Sequence, residues 1–173
     1  MGCRHKPDHL QRLPILRRCL QTGCIIDENG TEIPKIKVSE NVEKVTNPGN
    51  KKILRIYDKA SGKIKADLIT LEDEVFTEDQ PLTLFDPLAT WKRTRLEAGT
   101  YTIRELLVPI FKNGQCVYES PSVMDIQAYC TQEKPLSDES KRLINPQEVY
   151  VDLSRKLYDL KNQLLDDAHT IKD

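Results

Sequence analysis

Cys3, His5, His9, Cys19 and Cys24 gather the softest potential metal ligands of this 173-residue sequence into its first 25 residues. Thiolates and imidazoles hold zinc when two close pairs meet at short, regular spacings. The run Cys3–Cys19–Cys24 contains no such pair, so no metal site is expected from it. Carboxylates come next. Glu72-Asp73-Glu74 and Glu78-Asp79 place acids side by side, the material for a divalent cation or for acid–base work. Adjacent acids on a loop normally face solvent, and a solvated face is the expectation for both clusters. Trp91 precedes Lys92, Arg93 and Arg95, a composition that can stack on a nucleic-acid base. The expected role is plainer: the indole plugs an edge of the core while the basic side chains snorkel to water. Cys116 and Cys130 read as small core residues, and His169 as an exposed residue of a polar tail. With one histidine beyond residue 25 and no G-x-G-x-x-G or Walker loop, neither a Ser/His/Asp nor a Cys/His arrangement has its material.

Composition narrows the class further. The formal net charge is −1, with 31% charged and 38% hydrophobic residues, which fits a soluble globular chain with a modest core. A balanced charge gives no field for nucleic acid or an anionic membrane. No apolar run approaches the ~18 residues a spanning helix needs, and no signal-peptide pattern opens the chain. Five cysteines, an odd number without paired spacing, read as reduced thiols, so a cytoplasmic location is expected.

The elements that must position these residues alternate between turn signals and short apolar runs. Asp27-Glu28-Asn29-Gly30 predicts a tight hairpin turn, followed by a strand carrying Ile33, Ile36 and Val38. After a turn at 46–49, the alternating run 51–58 (KKILRIYD) pairs through Lys59-Ala60-Ser61-Gly62 with 64–70, giving an expected three-stranded antiparallel unit. The run 102–111 turns through Asn113-Gly114 into 115–118 as a further hairpin, with Pro109 marking an edge or bulge. Ser120 as N-cap and Pro121 as first residue open a helix with Val123, Ile126, Tyr129 and Cys130 on one apolar face. A second short helix is expected from 137 to 145. The last spans 153–165, with Leu153, Leu157, Leu160 and Leu164 as its seam, packed on the sheet rather than in a coiled coil. The fold class is α+β: antiparallel β-hairpins followed by packed C-terminal helices.

Four stretches carry a family likeness. KIKVSENVEKVTNPGNKKILRIYDKASGKIKADLITLEDEV (35–75), PLTLFDP, TIRELLVPIFKNGQCVYESPS and NPQEVYVDLSRKLYDLKNQLL together resemble the region of nicotinate phosphoribosyltransferases that follows their catalytic barrel. The resemblance covers roughly 26–165 and implies a C-terminal portion of an α/β-barrel phosphoribosyltransferase. It implies synthesis of nicotinate mononucleotide and pyrophosphate from nicotinate and phosphoribosyl pyrophosphate, with ATP hydrolysis, magnesium and a phosphorylated histidine. It also implies that the residues performing this chemistry lie upstream of the matching stretch. No catalytic, cofactor-binding or metal residue is therefore carried over to this chain, and neither ATP nor Mg2+ is expected on it alone. Lys44, Lys51, Lys52 and Arg55 are the cations that could touch a phosphate in an intact enzyme, although solvated strand-face charges are the expected account. The implied partners are a second copy or the family's N-terminal barrel. The alternative is a non-catalytic module that pairs with a separately encoded catalytic half.

Residues 1–25 stand apart. They hold five Lys/Arg against one acid, and all ten aromatic residues lie at or after Tyr57. A disordered basic leader is one reading of that composition. A second uses the genetic code: suitable synonymous codons, read one nucleotide later, give WGVGTNLIIYNAYPSYGGVYKLVA without a stop. That string resembles the family's phosphate loop and the strand expected just before residue 35. The expected organisation is thus an out-of-frame or disordered leader at 1–25 and the family's C-terminal region at 26–173.

Overall fold

Alternation of apolar and polar residues through KKILRIYD and IKADLITL builds the centre of the molecule. The computed structural model describes residues 23–41, 44–133 and 151–170, the side chains of 169 and 170 excepted. Two compact units divide it, one of residues 1–50 with 161–173 and one of 51–160.

In the first unit, β1 (Cys24–Ile26) pairs antiparallel with β2 (Glu32–Pro34). The expected turn joins them. The Asp27 carboxylate accepts the Asn29 and Thr31 amides at 2.9 and 2.8 Å, and Gly30 takes a φ of 82° that a side chain would strain. β2 ends at Pro34, so Ile36 and Val38 lie outside it and this strand does not join the run 51–58 as a third member. Pro34 explains the early stop, since it lacks the N–H that would continue a ladder. Farther along the same unit, Lys161 donates to Asn47 Oδ1 at 2.9 Å, and burial holds its ammonium below the usual lysine range.

The second unit carries a four-stranded sheet of order β10–β4–β3–β7. β3 (Lys51–Asp58) and β4 (Ile64–Leu71) form the expected hairpin, and β7 (Tyr101–Glu105) adds antiparallel to the other edge of β3. β10 (Val151–Leu153) lies parallel to β4. The inward residues Leu54, Ile56, Ala66, Leu68 and Tyr101 meet Leu82 and Leu84 in one cluster. Each fully buried aliphatic side chain there contributes about 1.5–3 kcal/mol. Leu82 and Leu84 belong to β5 (Leu82–Asp86), which pairs with β6 (Ala89–Leu96) in a separate ribbon.

Beyond β7 the chain leaves the sheet. β8 (Phe111–Lys112) and β9 (Gln115–Cys116) turn at Asn113-Gly114 as expected, but the hairpin is two residues per strand, both exposed. The long arm expected at 102–111 is broken, because Tyr101–Glu105 pair with β3 instead and 106–110 form no strand. Helix α1 (Val123–Glu133) follows, two residues later than expected, with no buried residue. Its cap is Ser122 rather than Ser120: the Asp125 amide donates to Ser122 Oγ at 3.2 Å while the Asp125 carboxylate accepts the Ser122 amide at 3.1 Å. Asp three residues after Ser closes this reciprocal box, a signal that outweighs Pro121 at a predicted first position. The helix expected at 137–145 lies outside the described residues. The last helix, α2, is Arg155–Thr170. Leu153 belongs to β10 instead, because Ser154 caps the helix one residue later; Leu153 and Leu157 are both buried.

Candidate functional site

Three charged side chains stand in register across the sheet face opposite the core. Asp67 of β4 pairs with Arg55 of β3, and Arg55 pairs with Arg104 of β7. Side chains alternate along a strand, so Leu54 and Ile56 turn to the core while Arg55 turns away from it. Arg55 donates to both Asp67 oxygens, Nε to Oδ1 at 2.7 Å and Nη2 to Oδ2 at 2.9 Å, a fork matched to a carboxylate. Glu133, the last residue of α1, closes the row: its oxygens lie 2.8 Å from Arg104 Nη1 and 3.5 Å from Arg55 Nη1. Arg104 also donates to the Tyr129 hydroxyl and lies over that ring, 5.5 Å from its centroid.

Two cations thus meet two anions, and the charges cancel locally. The hydrogen bonds to Asp67 hold the Arg55 guanidinium above its ordinary range despite burial, and those to Glu133 do the same for Arg104. The arrangement fastens the end of α1 to the sheet. A phosphate would have to displace a carboxylate to reach Arg55, whose side chain is only 23% exposed. Arg55 is therefore held in an ion-pair row rather than being the solvated strand-face charge expected of it. Lys52 donates to the Glu72 carbonyl at 2.9 Å, and Lys44 is exposed.

The two acid clusters act as braces. Glu74 accepts the Leu71 amide at 2.9 Å and the Ser154 hydroxyl, while Ser154 Oγ accepts the Leu157 amide at 3.2 Å. Asp73 pairs with Lys156, which holds its carboxyl below the usual range. Glu78 accepts the Ile103 amide at 2.9 Å. These contacts tie the loop after β4 to the start of α2 and to β7. The solvated-face expectation fails for Glu74, which is half-buried, whereas Glu72, Asp73, Glu78 and Asp79 stay exposed as expected. A shallow groove of about 350 Å³ beside this loop is lined by Lys52, Leu54, Phe76, Glu78, Ile103 and Glu105. Its two acids against one lysine do not favour an anionic ligand.

Trp91 does not plug the core; it is 78% exposed on β6. The inward positions there are taken by Leu82 and Leu84 of β5, leaving the outer face of the ribbon to Trp91. Arg93 donates to the Thr90 carbonyl and Arg95 pairs with Glu97. Cys116 and Cys130 are likewise exposed rather than core residues, because the hairpin and helix that carry them bury none of their residues. Cys3, His5, His9 and Cys19 lie outside the described residues, as does the side chain of His169. Among the described residues, no three His, Cys, Asp or Glu side chains converge as metal ligands, and no helix is long and apolar enough to cross a membrane.

One further titratable group carries a sequence signal for burial. Asp152 interrupts the apolar run VYVDL and is 6% exposed in β10. Burial pushes its carboxyl up to about 6, and the charge of Asp86 adds to the shift. Asp67 and Arg104 were also legible, as charges in the middle of strands. Glu133 was not, since only the fold brings it to Arg55.

The architecture defines an α+β domain whose charged residues mostly brace its own elements. Residues 50–161 match the family model described as the nicotinate phosphoribosyltransferase C-terminal domain. Nicotinate phosphoribosyltransferase of Bacillus subtilis (strain 168) is 34% identical over 148 residues, covering 85% of this chain and 29% of the relative. The Caenorhabditis elegans nicotinate phosphoribosyltransferase is 31% identical over 134 residues, 76% of this chain and 23% of the relative. A crystal structure of the human nicotinic acid phosphoribosyltransferase matches 69% of this chain and 24% of its own at a TM-score of 0.57 and 20% identity, a likeness of fold. The chain belongs to the nicotinate phosphoribosyltransferase family, as its C-terminal domain, and spans less than a third of the length of the relatives it matches.

Proposed function

We propose that this chain is the C-terminal part of an enzyme that makes nicotinate mononucleotide and pyrophosphate from nicotinate and phosphoribosyl pyrophosphate, coupled to ATP hydrolysis in the cytoplasm. The observation that carries the reading is the family match across 50–161, the segment that forms the four-stranded sheet. This reading places Mg2+ and ATP on the rest of the enzyme; what supports it is that Asp67, Asp73, Glu74, Glu78 and Glu133 are engaged by backbone amides, Arg55, Arg104, Lys156 and Ser154. No step of the reaction is assigned to them. Positioning is the role left to this part: a braced domain against which the catalytic portion is held.

Taken alone, the chain has no transferase activity. Purified 1–173 incubated with nicotinate, phosphoribosyl pyrophosphate, ATP and Mg2+ yields no nicotinate mononucleotide; product formation would overturn that statement. The positive arm is a chimaera in which residues 26–173 replace the matching stretch of the Bacillus subtilis relative. Retained synthesis supports the reading, and a folded but inactive chimaera counts against it. Residues 1–25 belong to the same reading as an out-of-frame leader. Sequencing the coding region checks this: GVGT and GGVYKLVA one frame away support it, and their absence sinks it.

A further inference from the structure

Between β7 and the end of α1 the chain exposes apolar side chains that a soluble surface does not need. Leu107 and Val108 are 51% and 56% exposed, Phe111 69%, Val123 78%, Met124 71% and Ile126 53%. Single exposed apolar residues are ordinary, but so many within one short stretch mark an interaction surface. Nor is the stretch simply loose. The Ser122–Asp125 box fixes the start of α1, and Glu133 with Tyr129 locks its end to Arg104. A helix held at both ends with its apolar residues in water is built to be covered.

We infer that residues 106–133 form the surface on which this domain docks against the portion of nicotinate phosphoribosyltransferase that its relatives carry beyond the matched stretch. The inference rests on the functional reading above and assigns the residues that make the contact. Length argues for this occupant over others. The match takes up 29%, 23% and 27% of three relatives, so most of each lies outside it and must contact this domain somewhere. The groove beside β7 is small and mixed, with Glu78, Glu105 and Lys52 set among its apolar side chains, and the sheet face is closed by its own ion pairs. Among the described residues, 106–133 offers the broad apolar surface that the core of an interface requires.

Hydrogen–deuterium exchange on the full chain and on the Bacillus subtilis chimaera tests this. Amides of 106–133 are expected to exchange roughly tenfold slower or more in the chimaera, and Phe111→Asp with Met124→Asp to remove that protection. An active chimaera whose 106–133 exchanges as fast as in the chain alone overturns the docking surface and leaves the functional reading standing. An inactive chimaera with the stretch protected supports the surface while the functional reading fails. The chain alone gives a check that needs no chimaera. The two Asp substitutions are expected to leave its unfolding midpoint within about 2 °C. A larger drop means that the chain's own residues, such as 134–150, cover the surface. Self-association abolished by the same substitutions means that a second copy covers it. Either result overturns the proposal.

Discussion

Leu68 and Val123 are both aliphatic residues in regular secondary structure, yet one is 1% exposed and the other 78%. The difference separates two regions of the same unit. In the four-stranded sheet, alternation sends one side of each strand into a shared core that includes Tyr101, and Leu157 of α2 is buried as well. In 106–133 the same kinds of residue sit on a hairpin and a helix that bury nothing, fastened by charge at Glu133. The sheet is stabilised by what it buries within the chain. The second region is organised by hydrogen bonds and ion pairs and keeps its apolar surface for something else.

The largest expected effect tests that contrast directly. Leu68→Ala removes a buried side chain from the core and is expected to cost about 3 kcal/mol of unfolding free energy, whereas Met124→Ala costs less than about 0.5 kcal/mol. Urea titrations of both variants check this. Comparable losses would mean that α1 is buried in the chain and would erase the contrast.

Asp152 sharpens the comparison through pH. Its folded-state value of about 6 lies above the unfolded range near 3.9, so the native state binds the extra proton between the two. Its stabilising contribution is whole below about pH 4 and is lost as pH rises through about 6. Asp152→Asn keeps the shape without the charge and is expected to raise stability by about 1–2 kcal/mol at pH 7.5. The gain should vanish near pH 4. Asp73 and Asp125, held low by Lys156 and Ser122, run the other way, losing their contribution only as pH falls below the usual carboxylate range. Unfolding midpoints of both proteins between pH 4 and 8 carry the test. A constant offset across that range would show that Asp152 stays ionised or lies in water.

Tyr101 supplies a smaller effect within the same core. Its hydroxyl sits 2.9 Å from the Thr77 carbonyl and 2.8 Å from that of Gln80, and burial raises its pKa. Tyr101→Phe is expected to cost about 1 kcal/mol by leaving those carbonyls without the donor. Thermal unfolding measures it. An unchanged midpoint would mean that water replaces the hydroxyl and that this end of the core is open.

How much of this was legible in the sequence follows from the range of the forces involved. The β3–β4 hairpin and the turns at Asp27–Gly30 and Asn113-Gly114 were readable, because alternation and Asn-Gly chemistry act over a few residues, whereas the pairing of Tyr101–Glu105 with β3 was not. The β5–β6 ribbon was not, since ATWKRTRL carries charges along its outer face and resembles a loop. Leu153 entered the helical seam by its spacing alone; the Ser154 cap, one residue on, was the better signal. Trp91, Cys116 and Cys130 were assigned to a core by residue type. Type gives an average burial, whereas each of these positions is decided by which partner the fold places above it.

Glu133 is where local and long-range forces meet, and its substitution tests whether the two regions are as separable as their burial suggests. Its Oε2 is buried without a hydrogen-bond donor, facing Arg55 Nη1 at 3.5 Å, while Oε1 takes the shorter contact from Arg104. Glu133→Gln keeps the volume and removes the charge between two guanidiniums. Because α1 buries no residue, its detachment exposes little apolar surface, and the global midpoint is expected to move by less than about 0.5 kcal/mol. The amides of α1, by contrast, are expected to exchange roughly tenfold faster as the helix end comes free. Exchange of β3 and β4 should stay unchanged, since Asp67 still holds Arg55. If the strands speed up with the helix, the ion-pair row couples the regions into one cooperative unit. If only α1 responds, the sheet stands by itself and the exposed arm is a separately held attachment.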